Sequence, residues 1–278
     1  MNEANIFLST FSDLSQNNGR GGAIEKVGSV RLAVKHSFFR RCTAKTSGGA
    51  IYNSDGYIAF YRVCFSSCNL VNVVDNNFGN AIYLINSQNE VNESSANLCG
   101  QSVSSAADSP FVFWTGTHKA YNHNYTNCHG TGGSAGPNIL GAQVGSYCRY
   151  INADTATSSH GMIIVTSSFT FSYINLIRIT TNSNKQFFYS EGSSSTISNC
   201  NFFLNSFSVL QSHSTLVFSN CYSDFTGTSG ITKTTFRTCK ITIIENGMCL
   251  VTPNIPTHSW SYKKNDLIIL LEFLILKI

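Results

Sequence analysis

Apolar and polar residues alternate along much of this chain. In Ser29-Val30-Arg31-Leu32-Ala33-Val34-Lys35, Val30, Leu32 and Val34 fall on one side and Arg31 and Lys35 on the other, the period of a strand with one buried face. One repeat later Ile58 and Phe60 fill the same column. Between the alternating stretches a tetrapeptide returns, as Gly21-Gly22-Ala23-Ile24, Gly48-Gly49-Ala50-Ile51 and Gly79-Asn80-Ala81-Ile82, at spacings of 27 and 31 residues. The glycines permit a tight corner; Ala and Ile open the next strand, with Ile entering the core. A spaced pair precedes each copy: Phe11-x-x-Leu14, Phe39-x-x-Cys42 and Phe65-x-x-Cys68. A unit repeated with its parts in the same order builds by stacking, because one turn alone cannot bury its apolar face. The pattern predicts an all-β chain, a β-solenoid of short strands joined by Gly/Asn corners.

A second form of the repeat runs from about 161 to 245: Ile197-Ser-Asn-Cys200, Phe218-Ser-Asn-Cys221 and Phe236-Arg-Thr-Cys239, spaced by 21 and 18 residues. Tyr61-Arg-Val-Cys64 and Tyr125-Thr-Asn-Cys128 fit the same template. One turn per repeat predicts a column of Cys200, Cys221 and Cys239 and, beside it, Asn199 with Asn220. Residues 91–160 are irregular, with a small polar stretch at 102–110 and a Gly-rich one at 129–145. The expected organisation is therefore 1–90, turns with the Gly-Gly-Ala-Ile corner; 91–160, loop-rich turns of the same solenoid; 161–250, turns of the Ser-Asn-Cys type; and 251–278, an atypical apolar tail.

Composition sharpens this in two ways. Charged residues are 12%, half the usual share of about 25%, so Ser, Thr and Asn must clothe the outer faces. With 42% hydrophobic residues and 20 Phe the chain is not disordered. The net charge of +4 is spread out; its densest basic stretch, Lys35, Arg40, Arg41 and Lys45, reads as a solvated face and gives no support to a nucleic-acid partner.

The 10 cysteines include no Cys-x-x-Cys pair, and Cys64-x-x-x-Cys68 alone cannot supply a zinc site. Because most follow the repeat, they are read first as buried column-fillers, then as disulfides between neighbouring turns, and last as metal ligands. Two sequons, Asn92-Glu93-Ser94 and Asn124-Tyr125-Thr126, fit a cell-surface or secreted protein. The first residues carry no secretory leader and are already in phase with the repeats, as expected of a fragment of a longer protein. Residues 267–278 read LIILLEFLILKI, too short for a span of about 20 residues. A truncated membrane anchor, a closing apolar element and a frameshifted gene end compete for it, and membrane association through the tail follows from the first.

Chemistry is sparse. An inverting glycosidase needs two carboxyl groups about 6.5–9.5 Å apart, yet the 14 acidic residues, Asp13, Asp55, Asp75, Asp108, Asp154 and Asp224 among them, form no Asp-Asp pair or Asn-Thr-Asp triplet. Ser159-His160-Gly161 and Arg178-Ile179-Thr180 resemble pieces of pectin hydrolases superficially, without the aspartates that would protonate a leaving group. The clustered carboxylates of a calcium-dependent lyase are missing too. His118, His123 and His129 with Cys128 are spaced irregularly for zinc and read as a polar loop. Gly130-Thr-Gly-Gly-Ser-Ala-Gly136 lacks the Lys-Ser/Thr of a phosphate loop. His36 and Arg62 share a column and form a candidate anion pair; two unrelated solvent-facing residues is the preferred reading. Tyr52, Tyr57, Tyr61 and Tyr83 are candidate contacts for a partner. No catalytic, cofactor-binding or metal residue is assigned, and no cofactor is expected.

Gly-Gly-Ala-Ile paired with Phe-x-x-Asn resembles the repeats of polymorphic outer-membrane proteins and their relatives in parasitic protists. The match covers residues 11–90 and, more loosely, 195–240. Gly21 to Ile24 and Gly48 to Ile51 carry the first element; Asn80 replaces its second Gly in the third copy. Phe202-x-x-Asn205 carries the second, whereas Cys42 and Cys68 stand where the family has Asn. The resemblance implies a right-handed parallel β-helix and a large surface-exposed or secreted protein that adheres to host cells. The expectation is a non-enzymatic structural or adhesive repeat protein, with a host-cell or matrix protein or glycan as partner. A carbohydrate-active β-helix enzyme and a degenerate gene remnant are the alternatives.

Overall fold

A computed structural model describes residues 3–71, 79–100, 109–121, 124–130, 137–139, 142–146, 149–151, 154–155, 162–164, 169–172, 175–177, 188–190, 194–199, 201–203, 215–223 and 233–236. Every regular element among them is a strand. The longest ladder stacks Glu3–Phe7, Arg31–Lys35, Ile51–Tyr61, Ile82–Asn92 and Phe111–Tyr121 in parallel. It continues through Ala142–Ser146, Phe169–Ser172, Ser194–Ser198 and Thr215–Ser223 to Lys233–Phe236. A second ladder stacks Thr10–Ser12, Phe38–Arg40, Cys64–Ser66, Ser95–Asn97 and Asn124–Thr126, then Arg149–Ile151, Asn175–Ile177 and Asn201–Phe203. A short third one pairs Ser15–Gln16, Thr43–Ala44 and Asn69–Leu70. The chain visits the ladders in the same order on successive turns. The fold is a parallel β-solenoid.

Corners hold the turns in register. After the first ladder Leu8, His36, Arg62 and Glu93 stand in one column at φ 49°, 50°, 54° and 48°; after the second, Asp13, Arg41, Ser67, Leu98 and Asn127 do the same. A left-handed backbone costs a non-glycine residue roughly 1–2 kcal/mol. Here a hydrogen bond to the next turn offsets it: His36 N–H donates to Tyr61 O at 2.9 Å, Arg62 N–H to Asn92 O at 3.1 Å and Arg41 N–H to Ser66 O at 2.9 Å. Serines complete the first corner. Ser37 Oγ donates to Lys35 O (2.8 Å) and accepts from Ser9 N–H (3.3 Å); Ser94 Oγ donates to Asn92 O (2.9 Å) and accepts from Val63 N–H (3.1 Å). The sequon serine Ser94 is therefore a buried corner residue. The third corner is the Gly-Gly pair. Gly48 has φ 61°, and a Cβ on Gly49 would overlap the carbonyl oxygens of Asn80 and Asn69 on the neighbouring turn.

Inside, like stacks on like. Ile24, Ile51, Ile82 and Phe111 share one register column, Leu32 and Ile58 another, and Val34, Phe60 and Val91 a third. The Phe11, Phe39 and Phe65 rings stack at centroid distances of 4.7 and 5.1 Å. Such pairs add about 0.5–1.5 kcal/mol each to what burial supplies. Within Ile51–Tyr61 the phase of alternation slips at Asp55 and Gly56, both at positive φ (68° and 76°). That bulge lets Ile51 and Ile58 both face inward although they are seven apart in sequence. Lys26 Nζ ties the bulge to the turn before it, donating to Gly28 O at 2.7 Å and Asp55 O at 2.9 Å; burial lowers the Lys26 pKa, opposed by Asp55.

Candidate binding face

The outer face of the first ladder's second half brings Arg31, Tyr57, Tyr61 and Glu90 together. Its register places Arg31 beside Tyr57, Ala33 beside Ala59 and Glu90, and Lys35 beside Tyr61 and Asn92. Alternation turns Leu32 and Val34 into the core, so these flanking residues lie on the outside. Tyr57 and Tyr61 are four residues apart on one strand, hence about 13 Å apart, with small Ala59 between them. The Arg31 guanidinium lies 4.5 Å above the Tyr57 ring, and Tyr57 Oη–H donates to Glu90 Oε2 at 3.2 Å. Burial, then Glu90, raises the Tyr57 pKa, with Arg31 opposing. Around Tyr61 the arrangement repeats. Arg62 sits 5.1 Å from the ring, Tyr61 Oη–H reaches Glu93 Oε1 at 3.5 Å, and Arg62 Nε donates to Glu93 Oε2 at 2.6 Å. His36 packs edge-on against Tyr61 (5.3 Å) and Phe7 (5.4 Å).

These contacts revise several sequence expectations. His36 and Arg62 do share a column, but Arg62 is committed to Glu93 and His36 to aromatic rings, which is not a vacant anion pair. Tyr52 and Tyr83, expected as contacts, are only 5% and 7% exposed; they form an outer cluster with Val112, Ile85 and Trp114. Arg20 covers Tyr52, its guanidinium 4.1 Å from the ring and Nη1 donating to the hydroxyl at 2.8 Å. Tyr57 and Tyr61 keep partial exposure.

His118 is not in a polar loop. It lies in Phe111–Tyr121, points into the lumen and is 2% exposed. Its column reads Leu32, Ile58, Asn89, His118, so two polar residues replace two aliphatic ones. Ser87 Oγ donates to Asn89 Oδ1 at 2.8 Å, and Asn89 Nδ2 donates to His118 Nδ1. Nε2 is buried with no hydrogen-bond partner among the described residues. Burial pushes the imidazole pKa down to about 4, opposed by the Thr115 backbone, so the ring is neutral. The signal missed in sequence was the bulge, which hides the phase of Asn89 and His118 relative to Ile58. His123 lies outside the described residues, as do Ser159, His160, Gly161, Arg178, Ile179 and Thr180; the side chain of His129 is likewise not described.

Cys42, Cys68, Cys99 and Cys128 are free and fully buried, as is Cys221. Cys64 is disulfide-bonded. Asn199 N–H donates to Ser219 O at 2.9 Å, one residue past the Ser198–Ser219 pair, which puts its backbone level with that of Asn220. Of the expected Cys200, Cys221 and Cys239 column, Cys200 and Cys239 lie outside the described residues; Cys221 itself sits opposite Phe236, the register shifting between Phe218 and Cys221. Asp13, Glu25 and Glu93 are each bonded to an arginine, Glu90 to Tyr57 and Asp55 to Ser54 Oγ. Among the described residues no three of His, Cys, Asp and Glu are grouped to hold a metal ion, and no helix is long and apolar enough to cross a membrane. Residues 267–278 lie outside them.

No family model, curated protein or solved structure matches this chain.

Proposed function

We propose that this chain is a non-enzymatic β-helix repeat protein of a cell surface or secreted assembly, with a structural and adhesive role like that of the polymorphic outer-membrane-protein-like repeats it resembles. One observation carries the reading. Tyr57 and Tyr61 present rings backed by Arg31 and Arg62 along one strand, while the carboxylates nearest them, Glu90 and Glu93, are already bound to those same groups. Flat rings with a cation behind them stack on sugar rings and peptide side chains. Carboxylates held in such bonds are poorly placed to donate or abstract protons. A solenoid repeats its face turn after turn, which suits an extended host-cell or matrix glycan, or a protein strand.

The test is adhesion. The purified chain should bind host-cell or matrix glycans on an array, and the Tyr57→Ala/Tyr61→Ala variant should lose at least tenfold in affinity while keeping its thermal midpoint. Undiminished binding by the double variant would remove this face from the account, and binding to no glycan or cell surface would remove the adhesive role.

A further inference from the structure

The charges on the candidate face do not balance once their partners are assigned. Glu93 is bonded to Arg62, and Glu90 accepts the Tyr57 hydroxyl. Arg31 lies over the Tyr57 ring and has Glu3 beside it on the turn before. Two cations are left over. Lys35 stands in register between Phe7 and Tyr61, so neither neighbour in its column is an acid. Lys119 follows Glu90 on the next turn, in the column of Ala33 and Ala59. Both lysines are exposed, and among the described residues neither ammonium makes an ion pair or a hydrogen bond. They are three turns apart, at least about 14 Å along the solenoid axis at the usual strand spacing. The strand that carries Tyr57 and Tyr61 runs between them.

We propose that the ligand of this face is an acidic glycan: a polysaccharide with carboxylate or sulfate groups along its length, laid across the turns with sugar rings on Tyr57 and Tyr61 and acidic groups on Lys35 and Lys119. The proposal rests on the reading of the two tyrosines as an adhesive pair and adds the class of sugar they take. A neutral glycan gains nothing from two ammonium groups that water already solvates. A polyanion meets one on each side of the rings, and the net charge of +4 draws it in from a distance. An ammonium on a flexible stem is a point charge without the planar fork of a guanidinium, so it accepts either acid group. The carboxylates of the face oppose this weakly. Glu93 is neutralised by Arg62, while Glu90 is held by Tyr57 and has Lys119 beside it. Lys35 and Lys119 therefore set specificity, and the rings supply the contact that any sugar shares.

The experiment measures binding of the whole chain to three polymers with one backbone: chondroitin sulfate, unsulfated chondroitin and carboxyl-reduced unsulfated chondroitin, which is neutral. At 0.05 M NaCl at least one acidic form should bind about tenfold tighter than the neutral one, and 0.5 M NaCl should erase most of the difference. The step at which affinity is lost, desulfation or carboxyl reduction, tells which acid group the lysines hold. Lys35→Gln/Lys119→Gln should bring the acidic forms down toward the neutral one, about tenfold in all for two exposed pairs, with an unchanged thermal midpoint. Lys35→Arg/Lys119→Arg, which keeps the charge, should restore the preference. Equal binding of all three polymers through Tyr57 and Tyr61 would overturn the acidic class and leave adhesion standing. Equal competition by single-stranded oligothymidylate would overturn it too, since charge alone would then suffice. Binding to none of the three would overturn the proposal, and if no neutral glycan or cell surface is bound either, the adhesive reading falls with it.

Discussion

His118 shows how one side chain can set the acid limit of the fold. Its pKa is about 4 in the fold against 6.5 for a free imidazole. Between those values the unfolded chain binds a proton that the folded chain refuses, so the free energy of unfolding rises with pH across that window. Stability is complete above about 6.5 and falls as pH drops toward 4, by on the order of 3 kcal/mol. Urea unfolding at pH 7.5 and 4.5 should show the loss. The Asn89→Leu/His118→Leu variant extends the aliphatic column of Leu32 and Ile58 and should flatten the dependence; an unchanged pH profile in that variant would place the acid sensitivity elsewhere. The contrasting case is Asp13, whose carboxyl is held below its usual range by the Arg41 hydrogen bond. That pair is exposed at the surface and contributes little. Among the described residues it is burial, not charge, that makes His118 the larger contributor of the two.

Within a turn, two kinds of position resist change for different reasons. Phe39 lies between Phe11 and Phe65 in the ring stack and is fully buried, so Phe39→Ala should cost about 3–5 kcal/mol in urea unfolding. Phe11, partly buried, should lose clearly less; equal losses would mean the stack does not act as a core. Gly49 is fixed by close approach: Gly49→Ala sets a methyl against two carbonyl oxygens of the next turn and should cost at least about 3 kcal/mol. These elements were legible in sequence because each depends on local chemistry. Gly-Gly marks the corner, Phe-x-x-Cys marks the stack, and alternation marks Leu32, Val34, Ile58 and Phe60. The lumen polar group was not legible. A phase slip at Asp55 and Gly56 decides whether a residue beyond it faces in or out, and nothing in the alternation announces that slip. Tyr52 and Tyr83, ahead of the slip, read as surface contacts for a different reason: alternation does not reveal that the outer cluster with Val112 encloses them. The offset of Phe236 against Cys221 is the matching failure in the later turns, where repeat length changes and register cannot be counted from spacing alone.

At the scale of the molecule, the ion pairs among the described residues are local and lie at the surface. Arg20–Glu25, Arg41–Asp13 and Arg62–Glu93 are all exposed, and surface pairs of this kind are worth about 0–1 kcal/mol. Stability should therefore rest on stacked apolar columns, and the thermal midpoint should move by less than about 2 °C between 0.05 and 0.5 M NaCl; a large salt dependence would return weight to the ion pairs. The architecture was predictable from a repeat that cannot bury itself alone, whereas the candidate face was not, since Arg31, Tyr57 and Glu90 come together only through the register of three separate turns. What that face does is the central claim, and one measurement addresses it directly. The wild-type chain and the Tyr57→Ala/Tyr61→Ala variant are incubated with a panel of host-matrix polysaccharides, and retention on the polymer and release of new reducing or unsaturated ends are followed in the same samples. The account predicts retention of the wild type, weakened in the variant, with no new chain ends in either. Chain ends that accumulate with time and protein concentration would contradict it and make this solenoid an enzyme.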